Sequence, residues 1–239
     1  VSLKSEGKVI VESMNLMGYD ALTIGRMDLV MGLKTLQALE QIAKFPFLSA
    51  NLVSLQSQEP IFEPYALLER EGVRIGIIGL SEPEVMQVGD VRDQARLLDP
   101  VEVAKRYVQE LRSKVDVLVV LSHLGLDEDK ALASAVPGID VIVGGRTRRL
   151  MRKPEIVGGT VIVQQGYRGE WLGLLKIVME KGAVVQVTEE ILTLGPSYGD
   201  DRQVAELVAK YKKLYPTPTR PPTPTLAKSA LTPTATSQK

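Results

Sequence analysis

The chain contains no cysteine. That single absence removes disulfides, thiolate zinc sites, iron–sulfur clusters and cysteine nucleophiles together. Histidine is nearly as scarce, with His123 the sole example. One imidazole excludes a metal site built on several histidines of this chain. It also leaves one candidate for an imidazole base. No stretch approaches the ~20 apolar residues of a membrane helix, and no signal peptide is visible at the start. Neither sign of charge dominates, because 29 basic residues balance 29 acidic ones. No overall basic field recruits nucleic acid, and no acidic excess points to disorder. The chain opens Val1-Ser2-Leu3-Lys4 without an initiator methionine, which reads as a processed product or a fragment.

What is present is ordinary globular material. The 239 residues are 44% hydrophobic and 24% charged, enough to bury a sizeable core. Composition shifts at Tyr215, after which proline and threonine dominate and no acidic residue occurs. Such a segment cannot bury enough apolar surface to offset its ordering entropy. We therefore divide the chain into an α/β domain over 1–214 and a Pro/Thr-rich tail or linker over 215–239. The tail carries Arg220, Lys228 and Lys239, so 1–214 has 26 basic against 29 acidic residues, a net charge of −3. A spacer of this composition suits a link to a downstream domain.

Periodicity predicts helices over 7–17, 32–44, 100–114, 127–135 and 201–214. It predicts strands over 20–24, 47–52, 115–121, 139–143 and 160–164, and hairpins over 62–80 and 171–193. The run VDVLVVL at 115–121 reads as a central strand covered on both faces. Gly72, Gly76 and Gly79 open no helix, so they read as close packing rather than a dinucleotide loop. Met14, Met17 and Met27 read as core. The fold class is α/β, with hairpins mixed among parallel units.

In open α/β sheets ligands bind outside the carboxyl ends of the strands. Three such ends carry Gly25-Arg26-Met27-Asp28, Ser122-His123-Leu124-Gly125 and Gly144-Gly145-Arg146-Thr147-Arg148-Arg149. All three turns are expected at one edge of the sheet, bringing Arg26, Arg146 and Arg148 near His123. A solvated loop accounts for any one arginine. Three together point to an anion site, because guanidinium groups grip carboxylate and phosphate bidentately. Internal carboxylate partners such as Asp28 or Asp127 would instead make the cluster structural. Ser122 and His123 are neighbours on a strand, facing opposite sides, and so form no nucleophile–base dyad.

These same turns carry a resemblance. The stretch MNLMGYDALTIGRMDLVMGLKTLQALEQIAKFPFLSANL resembles the segment around the Gly-Asn-His-Glu motif of calcineurin-like metallophosphoesterases, in their 5'-nucleotidase branch. The stretch VDVLVVLSHLGLDEDKALASAVPGIDVIVGGRTRR is similar to their later Ser-His and Gly-His-x-His segment, and GGTVIVQQGYRGEWLGLLKI to the strands that follow. The resemblance implies a four-layer α/β/β/α sandwich, here truncated at its amino terminus, where the family's Asp-x-His and Gly-Asp motifs lie. It implies hydrolysis of phosphate esters, often nucleotides, at two metal ions that clamp attacking and leaving oxygens.

The chain departs from that family where the chemistry lives. Arg26 stands at the asparagine ligand and Met27 at the leaving-group histidine, while Asp28 keeps the acidic position. Arg146 and Arg148 stand at both histidines of Gly-His-x-His. Only His123 matches a metal-ligand position. A guanidinium cannot be deprotonated to bind a metal. The expectation is a phosphatase-like pseudoenzyme that binds phosphate or a nucleotide through Arg26, Arg146 and Arg148, with no cofactor from this chain. One alternative is a weak or altered phosphoesterase holding one manganese, zinc or magnesium ion through His123 and upstream ligands. Another is a structural or interaction module of a larger envelope protein. The family resemblance places the protein in the periplasm or outside the cell, and no nucleic-acid partner is expected.

Overall fold

The computed structural model describes residues 2–180 and 183–216. Val1, Lys181, Gly182 and the Pro/Thr-rich tail from Thr217 onward lie outside the described residues.

The elements run in the order α1 (Lys8–Met17), β1 (Leu22–Thr23), α2 (Leu33–Glu40), β2 (Phe47–Leu48), β3 (Leu52–Ser54), β4 (Tyr65–Arg70) and β5 (Val73–Leu80). There follow α3 (Val91–Gln94), β6 (Ala95–Leu97), α4 (Pro100–Leu111), β7 (Val117–Ser122), α5 (Leu126–Ala135) and β8 (Val141–Gly144). The chain continues through β9 (Glu155–Val157), β10 (Thr160–Gln164), β11 (Trp171–Glu180), β12 (Ala183–Thr193) and α6 (Arg202–Leu214).

The main sheet has the order β4-β5-β7-β8-β10-β9. Strands β5, β7, β8 and β10 are parallel, and antiparallel edge strands flank them. One face is sealed by α4 and α5. Val103, Tyr107 and Leu111 of α4 are buried against Leu118 and Val120 of β7. Asp99 caps α4, accepting from the Val101 and Glu102 amides at 2.9 Å, and Pro100 supplies a fixed φ for the first turn. The other face receives two separate pairs of strands. The hairpin β11–β12 lays Leu175, Ile177 and Val187 on Val141, Val161 and Val163. The parallel pair β1–β2 lies over β5 and is covered in turn by α1 and α2, through Val11, Met14, Leu33 and Leu36. The result is helix, sheet, sheet, helix.

Several expectations need correction. The helix over 32–44 ends at Glu40, and Ile42 on its predicted inner face is 39% exposed. The strand over 47–52 is two short strands joined by the buried residues Ser49, Ala50 and Asn51. Strand β7 is fully buried on one face only. Val117, Val119 and Leu121 on the other are half-buried, because the second layer is made of two separate pieces. Of the methionines read as core, Met14 is buried, but Met17 and Met27 are 55% and 65% exposed. Gly72 packs against nothing. Its φ of +81, after Glu71 at +52, makes it the turn of the β4–β5 hairpin.

Gly79 is the opposite case. A Cβ there would clash with the Cβ and backbone of Leu48, so β5 and the end of β2 touch backbone to backbone. That approach carries the second layer onto the main sheet directly beneath the site.

Candidate functional site

The three glycine-containing turns do converge, although they belong to two sheets rather than one. Gly25 follows β1, His123 follows β7, and Gly145 follows β8. A Cβ on Gly25 would meet His123 Nε2 at 2.7 Å, and one on Gly145 would meet His123 Cδ2 at 3.4 Å. The imidazole therefore sits in a slot between two turns, one of which, at Gly25, leaves it room only as glycine.

The slot is fixed from below by a buried polar network. Asn51 Nδ2 donates to the Ser81 carbonyl at 2.9 Å, and the Ser81 amide donates to Asn51 Oδ1 at 2.9 Å. Ser81 Oγ donates to the Ile24 carbonyl at 2.7 Å and pairs with Ser49 Oγ at 2.8 Å. All three side chains are fully buried. Their bonds tie the ends of β1, β2 and β5 together, which sets where Gly25 and Glu82 emerge.

Glu82, which sequence reasoning did not single out, is the anchor of the site. Its side chain is 2% exposed. One oxygen faces His123 Nδ1 at 2.7 Å and the other accepts the Arg26 amide at 3.0 Å. Burial opposes charge on both partners, but their mutual hydrogen bond and attraction outweigh it. The His123 pKa is raised above its ordinary 6.5 and that of Glu82 is lowered from 4.5. Both shifts favour an imidazolium–carboxylate pair. Asp28 accepts the Gly25 amide at 2.9 Å. Although the residue is open to solvent on one side, crowding around its carboxylate raises its pKa, against the pull of the Gly25 amide and of His123.

Arg146 is tied down inside the protein. It donates to the Leu124 carbonyl at 2.7 Å and to Glu84 at 2.6 Å. Glu84, rather than Asp28 or Asp127, is thus an internal carboxylate partner of the kind that makes this arginine structural. Arg26 and Arg148 are exposed, and neither forms an ion pair among the described residues. Arg148 is held at φ +56, an uncommon conformation for a side-chain-bearing residue. Ser122 turns away from His123 and bonds to the buried Asp129, whose pKa burial pushes up to about 6.

The donor set does not suit a two-metal centre. Among the described residues no group of three or more His, Cys, Asp or Glu side chains is placed to hold an ion. Of the one imidazole, Nδ1 is engaged by Glu82, and the Gly25 backbone packs against the ring.

No family model matches the chain. Curated relatives do. The chain is 31% identical over 182 residues to Protein UshA of Yersinia enterocolitica, covering 66% of this chain and 33% of that one. It is 28% identical over 214 residues to a 5'-nucleotidase of Vibrio cholerae, covering 76% and 39%. Among solved structures it superposes on a 5'-nucleotidase precursor from Thermus thermophilus with a TM-score of 0.82 at 29% identity, covering 89% of this chain and 46% of that one. This chain is a homologue of the calcineurin-like metallophosphoesterases, in their 5'-nucleotidase branch. A calcineurin-like phosphoesterase, YfkN of Bacillus subtilis, shares the fold with a TM-score of 0.75 at 24% identity, over 89% of this chain and 76% of that one. The α/β/β/α sandwich is thus that of the metallophosphoesterases, on a domain that has no metal-binding cluster among the described residues. The chain spans between about a third and two fifths of the length of the curated relatives named here.

The missed residues left little trace in sequence. Glu82 and Glu84 sit in SEPEV, just past the carboxyl end of β5, a position that the rule used for the other three turns would have flagged. Asn51 and Ser81 resembled ordinary loop polar residues.

Proposed function

We propose that this domain recognises a phosphate-bearing ligand at the carboxyl edge of its sheets without two-metal hydrolysis. One observation carries the reading. The only imidazole is committed to Glu82, and arginines occupy three positions that the resemblance assigns to metal ligands or their neighbours. In this reading Arg26 and Arg148 reach the ligand, and Arg146, oriented by Glu84 and the Leu124 carbonyl, presents a fixed guanidinium edge. Bidentate guanidinium contacts suit phosphate oxygens and need no metal.

The reading covers inorganic phosphate and nucleotides alike, since the relatives' names mention nucleotides and nothing here selects a base. It places the protein in the periplasm or outside the cell. Among the described residues no helix is long and apolar enough to cross a membrane.

The test is thermal denaturation with inorganic phosphate and with a nucleoside monophosphate. Phosphate should raise the melting temperature of the wild type. The double variant Arg26→Ala, Arg148→Ala should lose that rise. An unchanged rise rejects the site. The internal pairing of Arg146 with Glu84 favours one competing reading, a purely structural turn, and no phosphate response in the wild type supports it.

A further inference from the structure

Outside the cleft, the chain concentrates positive charge in one place. From Arg149 to Pro154 it has three cationic residues and no acidic one, within a chain of zero net charge. Arg149, Arg152 and Lys153 are exposed there, and none forms an ion pair among the described residues. This segment lies beside the carboxyl end of β10. Leu150 pairs with Gln165, and the Gly166 amide donates to the Arg149 carbonyl at 3.0 Å.

The next turn continues the same surface. Gly166 lies so close to Trp171 that a Cβ would meet its ring at 2.6 Å. Between them Tyr167 is 43% exposed, with the Arg168 guanidinium 5.1 Å from its ring centroid. Beyond Trp171, Leu172 and Leu174 point outward from the hairpin, 53% and 49% exposed, followed by exposed Lys176. Glu170 and Glu190 are the acids on this stretch, against the cations Arg149, Arg152, Lys153, Arg168 and Lys176.

We propose that this surface docks peripherally on an anionic phospholipid bilayer, with the cations on headgroup phosphates and Tyr167, Leu172 and Leu174 at the acyl boundary. Charge complementarity selects the partner. Each basic residue near an anionic membrane contributes about 1 kcal/mol, and exposed aliphatic and aromatic side chains beside them gain by entering the interface. A nucleic acid fits less well. Single strands need open aromatic faces for stacking, whereas the Tyr167 ring is overlain by Arg168 and the other apolar groups are leucines. The inference does not rest on the phosphate reading, because Arg26, Arg146 and Arg148 take no part in it.

The experiment is flotation of the purified chain with vesicles of phosphatidylcholine alone and of phosphatidylcholine mixed with phosphatidylglycerol. The expected result is binding to the mixed vesicles only, weakening steeply as salt rises. Arg149→Ala, Arg152→Ala, Lys153→Ala together should weaken binding by on the order of 100-fold. Leu172→Ser, Leu174→Ser should weaken it while keeping the preference for anionic vesicles. Both variants alter exposed side chains, and unchanged melting confirms their fold. Equal binding to both vesicle types, or to neither, overturns the proposal irrespective of the variants. So does release from mixed vesicles by inorganic phosphate at a concentration matching the headgroups, which would assign the contact to the phosphate cleft. Binding to a single-stranded oligonucleotide that vesicles cannot compete away would assign the surface to nucleic acid instead.

Discussion

His123 points Nδ1 at Glu82 across 2.7 Å, and the glycine backbone at Gly25 packs against its ring. The one side chain that matches a metal-ligand position in the resembled family is thus part of an internal ion pair. That relationship is why the domain is read as a recognition module rather than a hydrolase.

The pair makes stability depend on pH in a defined direction. His123 has a raised pKa, so its contribution is complete below about 6.5 and is lost as pH climbs through its folded value. Glu82 has a lowered pKa, so its contribution is complete above about 4.5 and is lost as pH falls through its folded value. The stabilisation is therefore greatest between those two limits. Glu82→Gln should bring the His123 titration, followed by NMR, down below 6.5. A His123 pKa unmoved by this substitution would mean the pair does not form.

Gly25→Ala tests the slot itself. Its φ of −111 suits any residue, so backbone strain is not at issue. The new methyl would strike the imidazole at 2.7 Å. Overpacking of this kind costs about 1–3 kcal/mol, and the His123 signals should shift as the ring is expelled. A variant as stable as the wild type, with unshifted His123 resonances, would contradict the geometry.

The buried network under the site predicts a larger loss. Asn51→Ala leaves the amide and the carbonyl of Ser81 unpaired in the interior. Two such groups cost roughly 2–6 kcal/mol, measurable by denaturant unfolding. A loss below about half a kcal/mol would imply that water replaces the amide.

Asp129 should behave oppositely to Glu82. Its folded pKa of about 6 lies above the ordinary 3.8, so folding favours the protonated form. Stability at neutral pH is lowered by keeping that carboxylate charged, and rises as pH falls through about 6. Asp129→Asn should stabilise the protein at about pH 8 by roughly 1–3 kcal/mol and abolish the rise on acidification. Destabilisation under those alkaline conditions would show that the charged form is the one the fold prefers.

The sequence disclosed the fold well and the site unevenly. Apolar runs such as 117–122 and 141–144 and the capped helix at 100–111 carry strong periodic signals, and they lie where expected. Short elements were missed, because β6 and β9 are three residues each and too brief for periodicity to register. The convergence of Gly25, His123 and Gly145 was legible from the rule that ligand turns follow strand ends. The partners were not. That Arg146 meets Glu84, 62 positions away, depends on two loops folding over one another, and no local pattern records it.

The most direct test of the central claim is the metal content of the purified chain after equilibration with manganese and zinc. The account predicts no stoichiometric metal, because arginines stand where ligands are needed and the imidazole is held by Glu82. A pair of tightly held ions per chain would contradict it and return the domain to the hydrolases.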